Sequence, residues 1–390
     1  MISVAAALEH LFDLVLPTDI ETVPLDQACG RVLAKSVAAH LDQPPFAASA
    51  MDGYAVSEQV IPIGSELKII GESAAGHRFI GTVHAGQAVR IFTGAPIPKN
   101  ANRVIIQENV KRSGNKIIIH SDEYTSDYIR ISGADFKSED EVQTPKLLTA
   151  SDIALLAAMN APQLSVHKKP VLALISTGDE LVMPGQNPSE DQIIASNTFG
   201  LAALLRASGA VPRILPIAKD NRPSLQTALQ LAKDADLIVT IGGASVGDHD
   251  LVAKAATDIG FKQDFYKVAM RPGKPLMAGR LGNVAMIGLP GNPVSAMVCG
   301  HIFLIPMVQA MQGLAPLQRQ RFTAKLAHAL AENGPREHYM RATLRADGLH
   351  VEKRQDSALL TVLSRSNALA IRPPHAPFAA SGSSIEYISI

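Results

Sequence analysis

No tryptophan occurs in the 390 residues, and aromatics make up only 4% of them. Stacking platforms for nucleic-acid bases are therefore disfavoured. An excess of either charge is also missing: 36 Lys+Arg face 36 Asp+Glu. Proteins that bind nucleic acid or a membrane surface normally carry a basic excess, so neither is expected as a partner. A local basic pocket for a small anion stays compatible with neutrality. Cysteine is nearly absent. Cys29 and Cys299 lie far apart and in no metal-ligand spacing, which speaks against a disulfide scaffold and for a reducing cytoplasm. The 12 histidines form no HxxxH or HExxH pattern, so a zinc site is not expected. Long hydrophobic runs are lacking too. The most apolar stretch, Ala296 to Val308, contains His301 and Pro306 and is too short to span a bilayer. At the N-terminus Val4, Leu8, Leu11, Phe12 and Val15 recur at helical spacing, which predicts an amphipathic helix rather than a signal peptide.

What is present is a chain long enough for two to four domains, 47% apolar and 18% charged. Its texture divides it into four regions. Residues 1–38 read as helix, turn, helix. Residues 39–130 read as a β-rich module, with strands at LKIIGE, QAVRIFTG, NRVIIQE and NKIIIHS. Residues 131–168 turn helical again, with Ser151 as the expected N-cap of SDIALLAAMNA, and would rejoin the first region to make a discontinuous helical linker domain. Residues 169–318 alternate buried strands with helices, which predicts a parallel sheet covered on both faces. Residues 319–390 read as a small β domain.

Ligands of such sheets bind outside the carboxyl ends of the strands, and three loops of the 169–318 region fall there. Thr177-Gly178-Asp179-Glu180 offers two adjacent carboxylates for a metal or for acid–base work. Gly242-Gly243-Ala244-Ser245-Val246-Gly247-Asp248-His249-Asp250 offers close backbone approach to an anion, with acids that suit an accompanying Mg²⁺. Leu289-Pro290-Gly291-Asn292-Pro293 offers a helix N-terminus, with Asn292 as N-cap and Pro293 at N1. The loop Lys267 to Pro275 supplies positive charge on a backbone stiffened by proline. Each stretch taken singly also reads as a turn, a cap or a solvated loop. Met51-Asp52-Gly53-Tyr54 makes a poor strand and a poor helix, and Phe92-Thr93-Gly94 reads as a strand running into a turn.

Taken together and in order, SAMDGYAV, FTGAPIP, STGDEL, IGGASVGDHD, VAMRPGKP and LPGNPVS resemble the molybdopterin molybdenumtransferase family, to which MoeA and the gephyrin E-domain belong. The resemblance covers nearly the whole chain. It implies a multidomain α/β fold: a Mog-like α/β domain with a parallel-type sheet, a helical segment and two small β domains. It implies molybdenum insertion into adenylylated molybdopterin, with molybdate consumed, AMP released and Mg²⁺ required. It implies a homodimer whose site lies where two subunits meet, small-molecule substrates, and the molybdopterin adenylyltransferase as a partner. Carried over motif by motif, the expected catalytic residues are Asp52, Thr93, Asp135, Glu180, Asp220, Asp250, Lys267 and Lys274. Expected substrate contacts are Arg271, Gly242, Gly243, Ser245, Gly247, Pro290, Gly291, Asn292 and Ser357, with Glu180 and Asp250 holding the metal. The chain departs from the family pattern at Ala47, at Asn100-Ala101-Asn102 and at Gln355-Asp356-Ser357-Ala358. A catalytically silent paralogue or a cofactor carrier or scaffold is the competing reading.

Overall fold

The computed structural model describes residues 1–121, 126–243 and 251–390. The first helix, Val4–Leu14, is capped by Ser3, whose hydroxyl accepts the Ala6 N–H at 3.1 Å. Val4, Ala7, Leu8, Leu11 and Leu14 are buried along one face, and Phe12 packs partly against the same core. The second helix expected before residue 38 does not form. Its place is taken by the strand Ile20–Pro24, a single 3₁₀ turn and the short strand Val32–Leu33. Pro24 and Gly30 interrupt helical periodicity there, while Ile20, Thr22 and Val23 suit an extended backbone. These strands share one sheet with Gln163–His167 and Lys146–Leu147, so the segments before and after the β-rich module meet. The helix Ala150–Ala158 packs nearby but is capped by Thr149, not Ser151. Thr149 and Asp152 form a reciprocal capping box, and Lys146 lies 2.7 Å from the Asp152 carboxylate.

The module between them holds a six-stranded sheet in the order Arg103–Ile106, Gly53–Val56, Gln87–Ile91, Glu66–Ser73, Lys116–Ile119, Val110–Ser113. All four expected strands are present. The surprise is Gly53–Val56, a fully buried inner strand where the sequence argued against one. The reason is close packing. A Cβ at Gly53 would sit 2.0 Å from the Ile105 carbonyl oxygen, so only glycine lets this strand approach its neighbour.

The α/β sheet runs Val211–Ile214, Val171–Ser176, Leu237–Ile241, Val284–Leu289, Met277–Leu281, Phe261–Tyr266. The first four strands are mutually parallel, as expected; Met277–Leu281 runs antiparallel to both its neighbours, so that Phe261–Tyr266 points the same way as the first four. Antiparallel pairing follows from the two-residue Gly282-Asn283 turn, which permits a hairpin and no crossover. One face buries helix Asn197–Ala207 and the long helix Pro293–Met311, with Val4–Leu14 against them. The other face buries Arg222–Leu231 and Leu251–Asp258. At 19 residues the Pro293–Met311 helix is longer than the sequence suggested, and it is apolar enough to cross a bilayer, yet 83% of its most apolar window is buried in the protein. It is a core helix, and no second one of that length and hydropathy occurs among the described residues.

The C-terminal sheet comprises Glu337–Arg345, Ala368–Arg372, Ser384–Ser389 and Phe322–Lys325, with Gly348–Val351 paired to the first. Its free edge is completed by Met270–Arg271, a strand lent by the basic loop of the α/β region. The architecture is thus a multidomain α/β protein with smaller β-rich parts, as expected.

Candidate functional site

The carboxyl ends of the parallel strands open into a cleft of about 590 Å³. Its floor is stitched by backbone bonds between adjacent strand ends: Thr177 N–H to Ile241 C=O at 3.0 Å, and Gly242 N–H to Leu289 C=O at 3.1 Å. Gly242 has φ +95°, and a Cβ there would lie 2.7 Å from the Thr177 carbonyl oxygen. Gly291 lies against it, with the Gly242 Cα at 3.4 Å from an added Cβ, an ordinary contact. Gly242 needs glycine on both counts, a left-handed backbone and a carbonyl where a side chain would begin. The Thr177 hydroxyl is buried with no partner among the described residues.

Glu180 and Asp220 line the cleft together with Gly242, Gly243, Pro290, Gly291 and Asn292. The acids feel one another. Burial, then the Asp179 and Glu180 carboxylates, push the Asp220 carboxyl above its usual range. The Asp220 N–H donates to Asp179 Oδ1 at 3.2 Å, which holds the two loops together. Such crowding of negative charge suits a divalent cation, although no preformed cluster of three ligands exists among the described residues. Asp250, Ser245 and Gly247 lie outside the described residues.

Asn292 occupies the N-cap position of Pro293–Met311, but its side chain does not cap. Instead its Nδ2 donates to the Ser357 hydroxyl at 3.1 Å. The Ser357 carbonyl accepts the Val294 N–H at 3.0 Å, so the first free donor of this helix is already satisfied. The C-terminal region thereby sends Ser357 to the cleft rim, where Ala358 forms part of the wall.

From the basic loop only Pro275 lines the cleft; Lys267, Arg271 and Lys274 do not. The loop is tightly held. Lys267 has φ +68° and its ammonium sits 4.7 Å over the Tyr266 ring. Its N–H donates to Leu276 C=O, and its carbonyl accepts from Ile2. Gly273, with φ +114°, faces Cys299 Sγ so closely that a Cβ would lie 2.7 Å from it. Burial pushes that thiol up, and Cys299 is core.

Asp52 and Thr93 meet in the β-rich module. The Thr93 N–H and hydroxyl each donate to Asp52 Oδ1 at 2.8 Å, which holds the carboxyl below its usual range. Arg90 lies beside them between the Tyr54 and Phe92 rings, at 5.1 and 4.7 Å. Neither Asp52 nor Thr93 lines the cleft of its own chain. Asp135 stands apart from both, exposed in a turn with its N–H bonded to Gln43 C=O.

Several contributors escaped the sequence reading. Asn197 donates to Gly291 C=O at 2.7 Å and helps shape the cleft. Arg341 is fully buried and donates to the carbonyls of Arg354 and Asp356, clamping the loop that carries Ser357. Its Nε and Nη1 have no partner among the described residues. Burial and the charge of Arg271 pull its guanidinium down, against the Asp356 and Glu352 carboxylates. An arginine at an inward position of the strand YMRATLRA was the available signal.

This is an α/β protein whose cleft at the strand ends is walled with glycine, carboxylate and amide groups beside a basic loop. Residues 2–160 match the MoeA N-terminal region (domain I and II), 173–310 a probable molybdopterin binding domain, and 323–390 the MoeA C-terminal region (domain IV). A molybdopterin molybdenumtransferase of Nostoc sp. is 36% identical over 94% of this chain and 88% of its own length. One of Haemophilus influenzae is 35% identical over 78% of this chain and 76% of its own. The crystal structure of the molybdopterin biosynthesis MoeA protein of Pyrococcus horikoshii superimposes with a TM-score of 0.85 at 27% identity, covering all of both chains. The chain belongs to the molybdopterin molybdenumtransferase family; it is a transferase with a role in molybdenum cofactor biosynthesis.

Proposed function

We propose that the protein consumes molybdate and adenylylated molybdopterin, cleaves the phosphoanhydride, releases AMP and leaves molybdenum on the pterin dithiolene. The observation that carries this reading is the convergence at the strand ends. Backbone loops open enough for close approach by phosphate, two carboxylates and the Ser357 rim share one cleft. Gly242, Gly243, Pro290, Gly291 and Asn292 hold the nucleotide part of the substrate, with Ser245 and Gly247 continuing the same loop. Arg271, Lys267 and Lys274 supply fixed positive charge for phosphate or molybdate oxygens. Glu180 and Asp250 are assigned to Mg²⁺, which would neutralise phosphate charge when bound; Asp220 adds a third carboxylate beside Glu180.

Asp52, Thr93 and Asp135 belong to the same reaction through a second copy of the chain. Their absence from the cleft wall of their own chain supports a homodimer whose site lies between subunits. The unpaired cysteines, one exposed and one buried, fit work in the cytoplasm. The molybdopterin adenylyltransferase is the partner that would supply the substrate.

The test is a coupled assay with adenylylated molybdopterin, Mg²⁺ and molybdate. Molybdate-dependent AMP release together with Mo incorporation supports the reading. Tight substrate binding without AMP release would assign the protein a carrier role instead.

A further inference from the structure

Strand Met270–Arg271 sets Arg271 directly beside His338 in parallel register. On its other side His338 is the register partner of Arg372. Directly paired residues project from the same face of a sheet, so three basic side chains form a row across three strands. His338, in the middle, is only 7% exposed, and its Nε2 has no hydrogen-bond partner among the described residues.

The charges around it are of one sign. Arg336 reaches the Met270 carbonyl at 3.5 Å. Arg341 projects from the same strand and Arg271 from the neighbouring one. Arg372 is engaged with the carbonyls of Ala331, Ala376 and Pro377. The one carboxylate next to His338 in sequence, Glu337, is occupied by Arg321 and the Tyr339 hydroxyl. Asp356 and Glu352 act on Arg341. Burial, and then Arg271, Arg341 and Arg336, push the imidazole down to about 4. His338 is therefore neutral at neutral pH.

We infer that His338 takes up a proton when a tetrahedral dianion binds at Arg271, so that capture of the oxyanion is proton-coupled. The inference rests on the reading of the basic loop as an oxyanion site. Burial remains, but two negative charges beside Arg271 offset the guanidinium part of what keeps the imidazole neutral, and they favour the imidazolium. By linkage, a group that gains a proton on binding makes affinity rise as pH falls, by as much as about tenfold per pH unit. The effect is confined to pH values above the titration of the empty site and below that of the filled one. His338 thus sorts oxyanions by charge: a dianion recruits the proton, a monoanion recruits it less.

The experiment uses the full chain and sulfate, a tetrahedral probe that stays doubly charged across the range. Sulfate binding is measured by calorimetry from about pH 8 to about pH 5, in two buffers of different ionisation enthalpy so that proton uptake is counted. The parent protein should bind several-fold tighter at the acidic end and take up close to one proton. Arg271→Ala should lose the binding, and His338→Gln should keep it with a flattened pH dependence. Because His338→Gln also alters the packing of the sheet, the His338 ring-proton titration of the parent is followed by NMR with and without sulfate and should move upward with it. Sulfate binding that is absent, or indifferent to Arg271→Ala, overturns the oxyanion reading and the inference with it. Binding that needs Arg271 while the His338 titration stays put overturns the inference alone.

Discussion

The α/β region and the β-rich module handle their polar groups in opposite ways. In the α/β region, backbone topology makes the site: parallel strands end together, their loops cross at glycines, and a cleft follows. Carboxylates placed there lose solvent and are forced into one another's field, and Asp220 is pushed up as a result. In the β-rich module Asp52 is half-buried, satisfied by Thr93 and held down. It is comfortable and it faces no cleft of its own. The difference teaches that strain marks a site complete enough to need a ligand, whereas a relaxed, outward-facing pair marks half of a site that another surface must complete.

The largest effect should come from the cleft and its basic loop. Glu180→Ala or Lys274→Ala is expected to lower molybdate-dependent AMP release by about 10²- to 10³-fold with the fold intact by circular dichroism. Residual activity near the parent level would remove these residues from the reaction. The sharpest test of the two-halves idea is complementation. Asp52→Ala and Glu180→Ala variants, each inactive, should recover roughly a quarter of parental activity when mixed and allowed to exchange subunits, since random pairing restores one site in half of the dimers. No recovery, with exchange demonstrated, would place both residues in one chain's site.

Smaller effects bear on stability. Gly242→Ala combines a left-handed backbone with a collision at the Thr177 carbonyl, and should cost about 1–3 kcal/mol in denaturant melts. Gly76→Ala, with open space around it but φ +76°, isolates the backbone part of that cost. Asp152→Ala should cost about 1 kcal/mol through loss of the capping box. The folded Asp152 titrates at about 2, below its ordinary 3.8, because of Lys146 and Thr149. Its contribution is therefore present above the unfolded value and lost as pH falls toward 2. Asp220→Asn should do the reverse of an ordinary loss. The raised carboxyl is destabilised in its charged form, so melting temperature at neutral pH should hold or rise slightly while activity falls.

The strands of the α/β region were legible because buried parallel strands read as continuous apolar runs, as in Val171–Ser176 and Leu237–Ile241. Gly53–Val56 was not, since its strand character depends on the carbonyl of Ile105, some fifty residues on. The missing second N-terminal helix failed for a related reason: Ile20–Pro24 becomes a strand by pairing with Gln163–His167, some 140 residues later. Loop motifs marked Glu180, Gly242 and Asn292, but nothing local announced that Ser357 would cap the Pro293–Met311 helix or that His338 would lie beside Arg271.

By itself, then, the order of residues determined the elements with strong periodicity, the glycines and prolines of the loops, and the family to which they point. Those follow from short-range rules of backbone sterics and side-chain spacing, which act over a few residues. Tertiary structure alone decided which acids would share a cleft, which arginines would be buried against backbone carbonyls, and which pair would be left facing outward. Charge, burial and hydrogen bonding across distant segments act through space, and only the folded chain sets those distances.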